Sequence, residues 1–338
     1  MTLHTPIRKT LSSSESGIKA LGYSIASVVI LVFLIFFSLD KIPTQQNNTS
    51  TYNVGTKAPQ SRVLGTSTAQ QRSNSFESIK LQARAGYVQH ITTGEVLFSK
   101  NASTTHPLAS ITKIMAGIIA LEILPEYTII PITSEALTQY GDNGLYKDEK
   151  WKLTDLLDFS LVSSSNDAIS AIAQKTNKTI AKESSPQKQQ HIFINKMNEK
   201  ADTIGLQQTH FSNPHGLDIN TYTSGSYSTA KETAQLLAYT FKKYPRLLQK
   251  TRHSKISVRS LNEVTHISKN TNAVVNDIPG LLGSKTGYTD LAGGNLAVVF
   301  DAGINQPVVA VVLGSTKKGR FTDMLKLLNA TYESIGSK

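Results

Sequence analysis

Ala109-Ser110-Ile111-Thr112-Lys113-Ile114-Met115-Ala116-Gly117-Ile118-Ile119 is the stretch on which the fold turns. Ile111, Ile114, Met115, Ile118 and Ile119 spread apolar side chains around much of a helical circumference, which predicts a buried central helix. Ser110 and Lys113 are three positions apart and so share one face of that helix, where both can point into one cleft.

Outward from this helix the chain alternates between strand and helix patterns. Gly86-Tyr87-Val88-Gln89-His90-Ile91 and Val96-Leu97-Phe98-Ser99 flank Thr92-Thr93-Gly94-Glu95, a strand-turn-strand signal with glycine in the turn. Asn295-Leu296-Ala297-Val298-Val299-Phe300 and Val308-Val309-Ala310-Val311-Val312-Leu313 make a second hairpin around Gly303-Ile304-Asn305-Gln306-Pro307. Phe321, Met324, Leu325, Leu328 and Tyr332 recur at helical spacing and predict an amphipathic helix packed on the sheet. Between the hairpins the spacing predicts helices over Thr154–Leu161 and Ala168–Ala173, with a Ser-Ser-Asn turn between them. Lys175–Gln190 reads as a polar surface loop, and Phe193, Met197, Ala201 and Ile204 as another helical stripe. The expected fold is therefore α/β, a mixed sheet with an inserted, mostly helical region.

Composition narrows the partners. The net charge of +11, from 35 Lys and Arg against 24 Asp and Glu, suits a polyanion such as anionic lipid or wall polymer. No compact basic cluster with interleaved aromatics accompanies it, so nucleic acid is not an expected partner. Cysteine is absent, which rules out disulfides and thiolate metal sites. Leu21–Leu39 is almost wholly apolar, long enough to cross a hydrocarbon core, and is followed by no A-x-A-like cleavage site. It reads as an uncleaved transmembrane signal anchor, with residues 1–20 as a cytoplasmic tail. Residues 40–80 are rich in Thr, Ser, Gln and Asn and read as a disordered polar tether. Residues 81–338 remain for one catalytic domain.

A serine hydroxyl needs a nearby base to take its proton, and Lys113 can serve Ser110 only when neutral. Burial and a neighbouring cation, for which Lys285 is the candidate, both disfavour the ammonium. In the Ser164-Ser165-Asn166 turn, alternation along an extended segment lets Ser164 and Asn166 face the cleft while Ser165 points away. The Ser164 hydroxyl both donates and accepts, so it can relay a proton, and Asn166 can hold Lys113 or a substrate amide. Asp167 reads as the cap of the next helix. Lys285-Thr286-Gly287 reads as an edge strand along the cleft, offering a permanent positive charge, a hydroxyl donor and room for a close backbone approach. Such a group suits a terminal carboxylate. His210 and His215 lack any metal-ligand pattern, Trp151 and Gly293-Gly294 read as packing and turn residues, and no nucleotide loop is present, so no cofactor or metal is expected.

Ser110-Ile111-Thr112-Lys113, Ser164-Ser165-Asn166 and Lys285-Thr286-Gly287, in this order, resemble the motif set of penicillin-recognising serine enzymes, with Ser-Ser-Asn in place of Ser-Asp-Asn. With Gly141-Asp142-Asn143-Gly144-Leu145, Asn213-Pro214-His215-Gly216-Leu217-Asp218, Tyr227-Ser228-Thr229-Ala230 and Tyr288-Thr289, the chain from Leu81 onward is most similar to the serine-type D-alanyl-D-alanine carboxypeptidases. The resemblance implies a β-lactamase/transpeptidase-like fold, an antiparallel sheet flanked by helices. It assigns Ser110 as acyl-ester nucleophile, Lys113 as proton acceptor, Ser164 and Asn166 as their partners, and Lys285, Thr286 and Gly287 as the substrate clamp. The backbone amides of Ser110 and Tyr288 would form the oxyanion hole. It further implies peptidoglycan stem peptides ending in D-Ala-D-Ala as substrate, β-lactams as covalent inhibitors, and a catalytic domain outside the cytoplasmic membrane. The second β-rich domain and carboxy-terminal anchor of some relatives are not visible, which leaves anchoring to the amino-terminal span. The rivals are a D,D-endopeptidase or transpeptidase using the same residues, a β-lactamase, disfavoured because no second carboxylate motif for fast deacylation is evident, and a non-catalytic penicillin or muropeptide sensor.

Overall fold

The two apolar runs at 295–300 and 308–313 lie in adjacent strands of a five-stranded antiparallel sheet that is covered on both faces. The computed structural model describes residues 75–141, 144–181 and 191–336. In chain order its elements begin with β1 (Ala85–His90), β2 (Val96–Lys100) and β3 (Thr105–Pro107), then a 3-10 turn at Ala109–Thr112 that runs into helix α1 (Lys113–Ile123). There follow β4 (Ile129–Pro131), β5 (Lys150–Lys152), α2 (Leu153–Ser163), α3 (Asn166–Ile180) and α4 (Ile192–Thr203). Next come β6 (His210–Phe211), β7 (Ser226–Thr229), α5 (Ala230–Lys243), α6 (Pro245–Gln249) and the hairpin β8 (Lys255–Arg259) and β9 (Thr265–Lys269). The chain closes with β10 (Leu281–Thr289), β11 (Gly293–Asp301), β12 (Pro307–Ser315) and α7 (Gly319–Gly336).

The main sheet has the order β10-β11-β12-β1-β2, so both expected hairpins belong to it and β10, with Lys285-Thr286-Gly287, is an edge strand. Period-two alternation divides its side chains. Leu296, Val298 and Phe300 pack with Val308, Ala310 and Val312 against Met324, Leu327 and Leu328 of α7. Ala297, Val299, Val309 and Val311 face the opposite core, where α1 lies among helices. Burial on both faces is why these strands read as unbroken apolar runs. In α1 every residue from Lys113 to Ala120 is buried, as the all-round apolar pattern required.

Several boundaries differ from those read in the sequence. Helix α3 does not stop near Ala173 but continues to Ile180, because Ile172 and Thr176 keep one face buried through the polar stretch expected to be a loop. Its cap is Ser165, whose Oγ accepts from the Ala168 amide at 3.1 Å, and Asp167 lies inside the first turn. The β8–β9 hairpin was not read at all. Residues 75–80, part of the expected tether, include a turn of helix, with Phe76 5.8 Å from the Phe98 ring and Lys326 Nζ donating to the Lys80 carbonyl at 2.8 Å. Among the described residues no helix is long and apolar enough to cross a membrane, and the expected span at 21–39 lies outside them.

The hairpin is fastened by a buried carboxylate. Glu149 accepts from the Tyr146 amide at 3.1 Å, from Trp151 Nε1 at 3.4 Å and from His266 Nε2, on β9, at 2.8 Å. Glu149 and His266 are both buried, with Trp151 and Phe159 rings within 5.8 Å of the imidazole. Glu149→Ala would strand these donors away from water and should cost about 3–5 kcal/mol of stability. Glutamine, which keeps one acceptor oxygen, should cost less. Urea unfolding of both variants checks the order, and equal midpoints for wild type and alanine would discard it.

Candidate active site

The nucleophile candidate sits on a forced turn. Ala109, just before Ser110, has φ 51°, a left-handed conformation that disfavours a side chain. Two glycines press on this turn from opposite segments. A Cβ on Gly216 would lie 2.0 Å from the Ala109 carbonyl oxygen, and one on Gly287 would lie 2.4 Å from that of Leu108. Asn295 Nδ2 donates to the carbonyls of Pro107 at 2.9 Å and Leu108 at 3.1 Å, which fixes the same turn to β11. Only glycine allows β10 to come this close, so Gly287 sets the gap between strand and turn as well as making room for a ligand.

Lys113 is fully buried behind Ser110. Its Nζ lies 2.7 Å from Ser110 Oγ, 2.7 Å from Asn166 Oδ1 and 3.0 Å from the His215 carbonyl oxygen. Burial, and then the nearby Lys285, holds the ammonium well below the ordinary lysine range. A neutral amine has two N–H groups and one lone pair. Two of the three contacts are carbonyl oxygens, which can only accept, so the lone pair is left for the Ser110 hydroxyl. Asn166 is oriented from the far side, where its Nδ2 donates to the Tyr140 carbonyl at 2.7 Å. His215 is neutral, its imidazole pushed down to about 3 by burial and by Lys113, and its Nδ1 accepts from the Leu217 amide at 3.1 Å.

Ser164 and Asn166 do not alternate along an extended turn. Ser164 has φ 63° and ψ 30° at the end of α2, and Asn166 is the first residue of α3. This kink turns the Ser164 hydroxyl toward the sheet, where Lys285 Nζ donates to its Oγ at 2.8 Å and to the Thr286 carbonyl at 3.0 Å. The expectation of a permanent charge on Lys285 is corrected. The side chain is buried, and desolvation followed by the Arg320 guanidinium pushes it down to about 7, so its charge titrates near neutrality.

The cleft in front of these groups encloses about 490 Å³ and is lined by Ser110, Ser164, Asn166 and Tyr288, with Asp218 and Asp290 at its acidic end. Of the eight residues singled out in the sequence, Ser110, Ser164, Asn166 and Tyr288 line the cleft, Lys113 and Lys285 contact Ser110 and Ser164 from behind it, and Thr286 and Gly287 follow Lys285 along β10, whereas His210 and Trp151 do not line it. Sequence reading missed Arg320, which is buried and donates from Nη1 to the Gly287 carbonyl at 2.7 Å. It lies in a Lys-Lys-Gly-Arg run that reads as solvated. It also missed the backbone carbonyls of Tyr140 and His215, which carry no residue-type signal, and Thr271, whose Oγ1 is 2.5 Å from Thr286 Oγ1.

The family profile described as D-alanyl-D-alanine carboxypeptidase matches residues 68–317. D-alanyl-D-alanine carboxypeptidase DacF of Bacillus subtilis is 30% identical over 258 residues, and the match spans 74% of this chain but 62% of that protein. D-alanyl-D-alanine endopeptidase of Pseudomonas aeruginosa is 31% identical over 256 residues, 73% of this chain and 76% of that protein. Among solved structures, penicillin-binding protein D2 from Listeria monocytogenes in its ampicillin-bound form has a TM-score of 0.62 at 26% identity, covering 75% of this chain and 99% of that one. The Streptomyces K15 DD-transpeptidase has a TM-score of 0.66 at 24% identity over 75% of this chain and 98% of that one, a likeness of fold.

Proposed function

Since the chain belongs to the D-alanyl-D-alanine carboxypeptidase family, we propose that it is a membrane-anchored serine D,D-carboxypeptidase that removes the terminal D-alanine of peptidoglycan stem pentapeptides. The observation that carries the reading is the environment of Lys113 Nζ, whose two carbonyl partners leave its lone pair for Ser110. Ser110 Oγ attacks the carbonyl of the penultimate D-alanine and its proton passes to Lys113. The backbone amides of Ser110 and Tyr288 hold the oxyanion, a contribution of about 2.7–4 kcal/mol per donor in such sites. As the C–N bond breaks, Lys113 returns that proton by way of the Ser164 hydroxyl, which gives its own to the leaving amine and is reprotonated, so D-alanine departs and Lys113 is neutral again. Water then attacks the ester on Ser110 by the same proton route, restoring the serine. Lys285 and Thr286 hold the terminal carboxylate, with Gly287 permitting the approach.

The apolar run at 21–39 supports the anchor, and the location of peptidoglycan outside the cytoplasmic membrane supports an extracytoplasmic catalytic domain. β-Lactams, which mimic D-Ala-D-Ala, should acylate Ser110. Endopeptidase action on crosslinks is the second reading, because the Pseudomonas aeruginosa and Escherichia coli endopeptidases match at 31% and 28% identity.

The charge on Lys285 separates the two. Lys285→Gln should lower kcat/KM on a pentapeptide by about 10- to 100-fold, the weight of a charge-assisted hydrogen bond, and harm a terminal amide or a crosslinked dimer less. The pH dependence has a fixed sign. Below about 7 the Lys285 ammonium is charged and grips the carboxylate, and above it the free enzyme loses that charge, so KM for the pentapeptide rises while that for the amide stays flat. Equal activity on acid and amide, with Lys285→Gln affecting both alike, favours the endopeptidase.

A further inference from the structure

The Thr286 hydroxyl has a neighbour that decides where its proton goes. Thr286 Oγ1 and Thr271 Oγ1 are 2.5 Å apart, and among the described residues this is the one hydrogen-bond partner of the Thr271 side chain. Each hydroxyl has one proton to give. If Thr286 gave its own to Thr271, it would have none for an anion. If Thr271 gives, Thr286 accepts there and keeps its proton for a ligand.

Thr271 is held as firmly as a group of this kind would need to be. Asn270 on one side donates from Nδ2 to the carbonyls of Thr251 at 2.7 Å and His253 at 2.9 Å. Asn272 on the other donates from Nδ2 to Ser284 Oγ at 3.1 Å and from its amide to Asn270 Oδ1 at 2.9 Å. The Thr271 amide itself donates to the Val162 carbonyl at 3.2 Å, two residues before Ser164. Thr271 thus spans the same gap as the Lys285 to Ser164 contact, with its backbone on α2 and its side chain on β10.

We propose that Thr271 is a positioning residue whose hydroxyl donates to Thr286 and so directs the Thr286 proton to the terminal carboxylate of the substrate, making Thr271 a determinant of free-acid specificity. The inference rests on the carboxypeptidase reading. The two hydroxyls and the carboxylate then form one chain running toward the negative charge, in which each donated bond strengthens the next. Removing the first member disorders the proton without altering the nucleophile or its base.

Thr271→Val keeps the shape of the side chain and loses the hydroxyl, and Thr271→Ser keeps the hydroxyl. In the full chain, valine should raise KM for a D-Ala-D-Ala pentapeptide about tenfold, the weight of one hydrogen bond, with kcat changed much less. It should leave the terminal amide near wild type, and serine should restore the free-acid KM. Benzylpenicillin and its methyl ester form a second pair differing only in that charge, read as acylation rate on the same variants. Valine at wild-type KM on the acid, or an equal loss on acid and neutral partner in both pairs, overturns the role of Thr271. If the wild type does not hydrolyse the pentapeptide, the carboxypeptidase reading fails, and the penicillin pair alone decides for Thr271.

Discussion

Ser110→Ala should abolish covalent labelling by fluorescent penicillin and lower pentapeptide turnover by about a millionfold, the scale of loss when a serine enzyme is deprived of its nucleophile. The loss should be purely chemical. Ser110 enters the 3-10 turn through backbone contacts, and the turn is held by Gly216, Gly287 and Asn295 and not by the Ser110 hydroxyl. The variant should therefore unfold near the wild-type midpoint and still bind penicillin reversibly. Labelling of the folded alanine variant at wild-type stoichiometry would remove Ser110 from the mechanism.

The second large effect belongs to Lys113. Lys113→Ala should slow acylation by about three to four orders of magnitude, the upper range for loss of a general base. Lys113→Arg should not rescue it, since a guanidinium stays protonated and has no lone pair for Ser110. The pH profile carries a sharper test. Only neutral Lys113 can accept the proton, so the wild-type acylation rate should fall as pH drops through its pKa, well below the ordinary lysine range. That acidic limb should vanish in Lys113→Ala. Stopped-flow acylation by a chromogenic β-lactam across the pH range measures both. A limb unchanged in the alanine variant, or arginine at wild-type rate, would assign the base elsewhere.

What was legible in the sequence was whatever depends on short spacing. Ser110 and Lys113 share a face because three residues make most of a helical turn, and the strands at 295–300 and 308–313 are apolar without a break because both faces are covered. What was illegible depends on distant parts of the chain. The charge on Lys285 cannot be read from Lys-Thr-Gly, because Arg320 and burial set it. Arg320 itself looks like one more cation in a solvated run until α7 packs it under β10. Asp167 reads as a cap in the sequence, but the kink at Ser164 starts α3 at Asn166 and so gives the cap position to Ser165. The hairpin β8–β9 was missed although Lys255-Ile256-Ser257-Val258-Arg259 alternates, because its partner strand buries the polar His266 and Ser268 and exposes Ile267, and its fastening at Glu149 comes from more than a hundred positions upstream.

The pairing of β1 with β12, from Ala85 opposite Leu313 to His90 opposite Val308, has a consequence for the order of assembly. These partners come from opposite ends of the domain, and the sheet has no continuous path from β2 to β10 until they meet. Closing so long a loop is entropically late and slow. A nascent chain that has finished β10 and β11 already contains every residue of the three motifs, yet its edge strand has no rigid support on which to face Ser110. Reactivity toward penicillin should therefore arise in a single late step of folding, when the last strand docks, and its onset would report completion of the whole sheet.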